Sequence, residues 1–188
     1  MKTFLIGLVI GLVAVPICVY IYFVTGSAPV ATSAPPMPFE KTLAHSALSA
    51  RIAKEMPKSV PVAADEPNLL AGADVYRENC AVCHGSPGGT PTAIARGMFP
   101  KAPKLLEGTG VTDDEPGETY WKVANGIRLS GMPGFSESLS QTQMWQVSLL
   151  AAHADKLPES VKTALYRTSA PPPAQTAPPV PSAPATKP

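Results

Sequence analysis

The sequence predicts an all-α protein, in which one small helical domain lies between an apolar N-terminal helix and a proline-rich tail. In three stretches of the central part, apolar residues recur three or four positions apart, which is the spacing of one helix face. Near the cysteine pair of that part, no run of Val and Ile indicates a strand. We expect four segments: a transmembrane anchor at 1–26, a linker at 27–66 with a helix over 39–56, a compact domain at 67–168 and a disordered tail at 169–188.

The first segment has the length and composition of a membrane-spanning helix. Phe4–Val24 is uncharged, and its 21 residues would form a helix of about 31 Å, close to the ~30 Å hydrocarbon core of a bilayer. A secretory signal has a shorter apolar stretch of about 7–15 residues, although the small residues at 26–28 keep cleavage open as the alternative. Lys2 is the only charged side chain before the segment. The positive-inside rule therefore predicts a single-pass protein of a bacterial inner membrane, with the lipid bilayer as partner and the domain in the periplasm.

The linker and the tail differ from the domain in composition. In the linker, Phe39, Leu43 and Ala47 share one side of a helix-compatible stretch. Treated as a coil, residues 25–64 would span about 35 Å. From 171 to 188, eight of eighteen residues are proline, and such a segment cannot bury enough apolar surface to become ordered.

The remaining hundred or so residues suffice for one small core, which is marginal unless a cofactor enlarges it. The formal net charge of the chain is +1, and residues 65–167 carry 12 acids against 9 bases. This balance gives no indication of nucleic-acid binding.

Three amphipathic stretches form the expected core of the domain. The first runs over Asn68–His84, with Asn68 as its N-cap and an apolar face that ends at the first cysteine of the pair. The second is Gly117–Ile127. The third follows Ser140, which forms a capping-box pattern with Gln143 and is closed by Pro158. The long gap from 85 to 115 lacks regular structure and is expected to wrap around a large cofactor.

Residues 79–85 read NCAVCHG, in which Cys80 and Cys83 are followed at once by His84. Cys-x-x-Cys-His is the attachment signature of c-type haem. The two thiols can each add to a vinyl group of one porphyrin, and the histidine then reaches one face of the iron as its proximal ligand. A structural zinc site would need four ligands, while a thioredoxin-like pair would sit in a βαβ unit. The motif therefore predicts one covalently bound haem c. The third cysteine, Cys18, lies inside the apolar segment, where we interpret it as a small apolar side chain with no role in binding.

The opposite face of the iron needs a ligand from a more distant segment. Met132 lies 48 residues after His84, in GIRLSGMPGF. Gly131 and Gly134 permit a close backbone approach to the porphyrin, and Pro133 stiffens the loop. We assign Met132 as the distal ligand. An open site remains an alternative, as do four other side chains: Met98, Met144, His45 and His153.

NCAVCHG, the proline-rich loop, GETYWKVANGI and IRLSGMPGF followed by MWQV together resemble class I c-type cytochromes over Asn68–Ala154. The resemblance implies a small fold of three to four helices around one covalent haem, an iron held by His84 and Met132, and outer-sphere electron transfer. It also places Gly72 and Tyr76 at the crossing of the terminal helices, with Trp145 and Leu149 as partners.

Members of this family use a proline carbonyl to accept the N–H of the proximal histidine. Pro91, seven residues after His84, is our assignment for that role. The candidates for contacts to the haem propionates are Arg128, Trp121, Lys101 and Arg96.

These residues predict a membrane-tethered monohaem electron carrier and not an enzyme. Its expected partners are membrane-bound or periplasmic redox proteins, with no small-molecule substrate. The alternative is a haem enzyme or gas sensor, such as a peroxidase or a binder of NO or CO, with a displaceable distal ligand. A third reading, a fixed subunit of a respiratory or dehydrogenase complex, shares the chemistry of the carrier.

Overall fold

The computed structural model describes residues 1–166, so the predicted tail at 169–188 lies outside the described residues. Within 1–166 the chain contains helices and no strand, which confirms the all-α class. The eight α-helices of this part are α1 (Lys2–Val24), α2 (Glu40–Glu55), α3 (Glu66–Asn79), α4 (Ala81–His84), α5 (Ala93–Gly97), α6 (Pro116–Asn125), α7 (Gln141–Ala152) and α8 (Glu159–Tyr166).

The crossing of α3 and α7 is the centre of the domain. Gly72 is buried there, and a Cβ at this position would overlap the carbonyl oxygen of Gln146 and lie 3.3 Å from Leu150 Cβ. The resemblance had suggested Trp145 and Leu149 for this contact. Trp145 instead stacks on Tyr120 of α6, with ring centroids 4.2 Å apart, because residues one position apart on α7 point about 100° away from each other.

The core continues from this crossing to α6 and α8. It is made of aliphatic and aromatic side chains that are almost fully buried: Leu69, Ala73, Val75, Tyr76, Val123, Met144, Val147, Leu149, Leu150, Leu157, Val161, Ala164 and Leu165. Met132 and Phe135, from the loop after α6, pack against its edge, as does Cys80. The cysteine pair and the candidate distal methionine therefore border one core.

The helix ends differ from the prediction in two places and agree with it in a third. Asp65, not Asn68, caps α3, because its Oδ1 accepts the N–H of Asn68 at 3.1 Å. The helix is also interrupted at Cys80. The predicted helix Asn68–His84 therefore consists of α3 followed by the single turn α4. The capping box of Ser140 and Gln143 is present at the start of α7.

The helix α8 was missed, because Pro158 was interpreted as the end of the last helix. Proline has no N–H to donate, but its carbonyl can still accept. The Pro158 carbonyl accepts the N–H of Lys162 at 3.0 Å and so opens a new helix. Val161 and Leu165 of this helix are buried in the core.

The two N-terminal helices contribute no side chain to that core. Every residue of α1 is exposed, and its length and apolar composition suffice to cross a membrane, a test that a signal sequence also passes. The helix α2 packs on α6. The segment 25–64 therefore includes a helix at Glu40–Glu55, where one was expected over 39–56. Its packing on the domain was not expected.

Candidate haem site

The cysteine pair is held by one turn of backbone. The carbonyl oxygen of Cys80 accepts the N–H groups of Cys83 at 3.1 Å and of His84 at 2.9 Å. Residues three apart in such a turn lie on the same side of the helix, which brings the two thiols to one face. Both cysteines are free thiols and are partly buried. Burial, together with the neighbouring Cys83, raises the pKa of Cys80 to about 12.

The loop that follows the pair is tied back to α3. The hydroxyl of Tyr76 donates to the carbonyl oxygen of Gly85 at 2.7 Å, directly after His84. Tyr76 is only 1% exposed. Burial raises the pKa of its hydroxyl above the usual value, and Cys80 and Glu107 act in the same direction. The side chain therefore remains a hydrogen-bond donor throughout the neutral range.

The imidazole of His84 is oriented by a backbone carbonyl. Its Nδ1 lies 2.7 Å from the carbonyl oxygen of Pro103. A carbonyl can only accept, so Nδ1 carries the proton and the lone pair is on Nε2, the atom available to a metal. Burial lowers the pKa of His84, and the bond to Pro103 opposes that shift. A neutral imidazole with a fixed tautomer is the form that binds iron.

The assignment of Pro91 to this contact was wrong. The accepting carbonyl comes from Pro103, 19 residues after His84, while the Pro91 carbonyl accepts from Arg96 Nη1 at 2.6 Å. The loop that follows His84 folds back on the helical turn of the motif, because the Thr92 hydroxyl donates to the Val82 carbonyl. The Pro91 carbonyl is thereby bound to Arg96, and it is not the acceptor of the imidazole proton.

A cavity of about 250 Å³ opens beside the motif. Cys83 and His84 line one side, and Pro91, Arg96 and Lys101 line another. The ammonium of Lys101 donates to the Arg96 carbonyl. Of the four candidates for propionate contacts, Arg96 and Lys101 are therefore brought to the cavity.

Trp121 and Arg128 do not line this cavity. The indole Nε1 of Trp121 donates to Glu55 Oε2 at 3.2 Å, and Arg128 is exposed. Glu55 lies in the segment that composition had identified as linker. Its contact with Trp121 had no signal in the sequence, since the two residues are 66 positions apart.

The loop that carries Met132 is closely joined to the end of α6. The N–H of Ile127 donates to the Met132 carbonyl at 3.1 Å, and the N–H of Phe135 donates to the Val123 carbonyl at 2.9 Å. Gly126 has a φ of +67°, and a Cβ there would lie 2.5 Å from the Gly134 nitrogen. Glycine is required here both by the backbone conformation and by the close approach.

The other candidates for the distal position have different surroundings. Met98 lies against Gly131, where a Cβ would be 3.5 Å from its sulfur, so it neighbours the same loop as Met132. Met144 is buried in α7. His153 Nδ1 is 2.9 Å from the Leu149 carbonyl oxygen, and His45 lies on α2.

Comparisons with known proteins indicate the family to which the chain belongs. Residues 67–149 match the family model of cytochrome c oxidase, cbb3-type, subunit III. Cytochrome c6 of Limnospira maxima is 33% identical over 81 residues, which cover 43% of this chain and 86% of that relative. The chain belongs to the c-type cytochromes. No solved structure gave a significant match.

This family implies a covalent haem c, and the residues of the cytochrome fit it. The Nε2 of His84 is left free by the bond to Pro103, two free thiols lie one helical turn apart, and a cavity adjoins Cys83 and His84. A zinc site fits less well, because residues 1–166 contain no group of three or more His, Cys, Asp or Glu side chains that could hold a metal ion. Cys80, Cys83 and His84 are the side chains able to hold the haem.

Proposed function

We propose that this chain is a membrane-tethered monohaem cytochrome that passes single electrons between redox proteins on the exported side of a bacterial inner membrane. Cys80 and Cys83 would form the thioether links, and His84 and Met132 would be the two axial ligands. The observation that supports this most directly is the His84–Pro103 contact of 2.7 Å. It gives the histidine the tautomer and the orientation of a proximal ligand.

The protein's part in this reaction is to hold both faces of the iron. Haem supplies a one-electron couple. The Pro103 carbonyl makes the His84 imidazole a stronger donor, and a methionine on the other side raises the reduction potential. With two protein ligands the iron offers no position to a substrate. The chain would then bind no substrate and would act as a carrier of single electrons.

Tethering by α1 is the second part of the proposal. The helix has 23 residues and contains no acidic side chain, and all of its side chains are exposed. An apolar helix of about 35 Å whose side chains are not covered by any part of residues 1–166 is suited to a bilayer. Lys2, the first residue of this helix and its one charged side chain, favours export of the remaining chain.

The experiment combines a pyridine haemochrome spectrum with carbon monoxide binding to the reduced protein. We expect one covalent haem per chain and no binding of carbon monoxide at neutral pH. Met132→Ala should bind carbon monoxide and lose the far-red charge-transfer band of a methionine-ligated ferric haem. Met98→Leu is the matched control and should behave as the wild type.

Other outcomes point to other functions. Absence of covalent haem would refute the proposal as a whole. Carbon monoxide binding by the wild type would favour a haem enzyme or gas sensor with a displaceable distal ligand. Loss of the far-red band in Met98→Leu but not in Met132→Ala would transfer the distal role to Met98.

A second candidate is suggested by the matching family, whose description names an oxidase subunit. In that case the chain would be a permanent subunit of a respiratory complex and would use the same haem chemistry. Purification in a mild detergent separates the two. A free carrier elutes alone, whereas a subunit elutes with further haem proteins in fixed proportion.

A further inference from the structure

The last turn of α2 is docked on the helix α6 of the cytochrome domain. Ile52 is 3% exposed and is the one buried residue of α2. Three residues on, Glu55 Oε2 accepts the indole N–H of Trp121 at 3.2 Å, while its Oε1 pairs with Arg51 at 2.7 Å. One apolar side chain and one polar contact thus hold α2 against α6.

The chain remains on the domain after α2 ends. Gly117 of α6 is buried, and a Cβ there would overlap the carbonyl oxygen of Pro57. Val62 packs against the hydrophobic core. The path of residues 52–62 along the domain is therefore fixed at three points, none of which follows from the composition of the linker, which is rich in Pro, Ala and Ser.

The remainder of α2 makes no comparable contact. Leu43 is 68% exposed, and the first eight residues of the helix contain no buried side chain. The interface is small, because it consists of one helical turn and the few residues after it. A contact of this size can open without unfolding the domain.

We propose that α2 is a releasable strap that sets how far the haem domain reaches from the membrane. The inference rests on the proposed anchoring by α1. With α2 docked at Ile52, the tether is the helix-free stretch 25–39 followed by the undocked part of α2, residues 40–51. A coil of about 21 Å in series with a helix of about 18 Å spans roughly 28 Å. With α2 released and unfolded, the same estimate for residues 25–64 gives about 35 Å.

The consequence is a change in local concentration at the bilayer. The effective concentration of a tethered group falls with about the −3/2 power of tether length. Because the span of a coil grows as the square root of its length, this is an inverse cube of the span, and shortening the span from about 35 to about 28 Å raises the concentration of the haem domain near the membrane about twofold. The docked state favours partners embedded in the same bilayer, whereas the released state reaches partners farther from it.

The test uses the full haem-loaded chain in phosphatidylcholine nanodiscs that contain a trace of headgroup-labelled fluorescent lipid. Hydrogen exchange of residues 40–62 reports docking, and quenching of the lipid fluorescence by the haem reports reach. Ile52→Asp should increase exchange over 40–62 severalfold and reduce quenching. Leu43→Asp places the same charge on an exposed position of the same helix and should match the wild type in both measurements.

A second variant reaches the same interface from the other side. Gly117→Ala improves helix propensity in α6, but its methyl group would overlap the Pro57 carbonyl, so it should release α2 without melting α6. An unchanged haem absorption spectrum shows that the domain is folded in each variant.

Unchanged exchange in both Ile52→Asp and Gly117→Ala would overturn the docking. Increased hydrogen exchange with unchanged quenching of the lipid fluorescence would contradict the proposal that α2 sets how far the haem domain reaches from the membrane. Failure of the proposed function is separate from these results, since it would appear in the wild type as absent haem absorption or as protein that does not remain with the nanodiscs.

Discussion

Tyr76 shows at the scale of one residue how the haem motif is fixed to the core. The hydroxyl of this buried ring donates to the Gly85 carbonyl oxygen at 2.7 Å, in the loop after His84. Tyr76→Phe keeps the ring and removes the hydrogen bond. We expect the free energy of unfolding at neutral pH to fall by about 1 kcal/mol, as measured by guanidinium titration.

The same residue predicts a pH dependence with a definite sign. Burial raises the pKa of Tyr76 in the folded chain, whereas an unfolded tyrosine loses its proton near pH 10. Above about pH 10 the unfolded state therefore binds fewer protons, and the contribution of Tyr76 to stability falls by up to about 1.4 kcal/mol per pH unit. The advantage of the wild type over Tyr76→Phe should shrink from pH 10 upward. A difference that stays constant up to pH 12 would contradict this account.

Met132, as the proposed distal ligand, should affect the reduction potential. A thioether ligand stabilises the reduced iron. Met132→Ala should therefore lower the reduction potential by on the order of 0.1 V or more, within the ~0.8 V range over which axial ligands act. Redox titration with optical detection measures the shift. Met144→Leu, in the core of α7, provides the control, and an equal drop in that variant would indicate a general loosening of the domain.

The residues of the candidate haem site also show what a sequence can reveal. Cys80, Cys83 and His84 could be predicted because their chemistry is local and their spacing is set by one helical turn. The Pro103 carbonyl could not be chosen over Pro91, because the choice depends on how the loop 85–115 folds back. Glu55 and Trp121 meet only in the folded chain, and neither carries a pattern that indicates the other.

At the scale of elements, the packing of α3 against α7 depends on the absence of a side chain at Gly72. An alanine there would gain about 1 kcal/mol of helix propensity, but its Cβ would overlap the backbone carbonyl of Gln146. Backbone atoms in a packed helix cannot easily move aside. We expect Gly72→Ala to reduce the free energy of unfolding by roughly 1–3 kcal/mol net.

The control for this variant is Gly97→Ala in α5, since a Cβ at Gly97 would meet open space. Guanidinium titration of the haem-loaded protein compares the two. Gly97→Ala should be neutral or slightly stabilising. Equal destabilisation by both variants would show that the loss does not come from the helix crossing.

The helices that could be predicted are those whose apolar residues recur with helical spacing. The stripes of α3, α6 and α7 could be seen because each helix presents one apolar face to a common core. The break at Cys80 could not, because the apolar spacing continues across it. The docking of α2 had no such signal, since a single buried Ile52 makes no stripe.

At the scale of the whole molecule, the domain and the helix α1 differ in whether their apolar side chains are buried. The domain hides its apolar residues in one core that also borders Cys80 and Met132. The helix α1 exposes side chains of the same kind along its whole length. In water such a surface would cause association, so α1 needs an apolar environment that residues 25–166 do not provide.

The proposed anchoring leads to the last prediction. After expression of the full chain, alkaline carbonate washing should leave the haem protein in the membrane fraction, because an apolar helix of about 35 Å is held by the bilayer and not by charge. Replacing residues 1–24 with a cleavable secretory signal should move the haem to the soluble periplasmic fraction with an unchanged haemochrome spectrum. If the unmodified chain were already soluble and its N-terminus began near 26–28, the first segment would be a cleaved signal, and the domain would act as a free carrier.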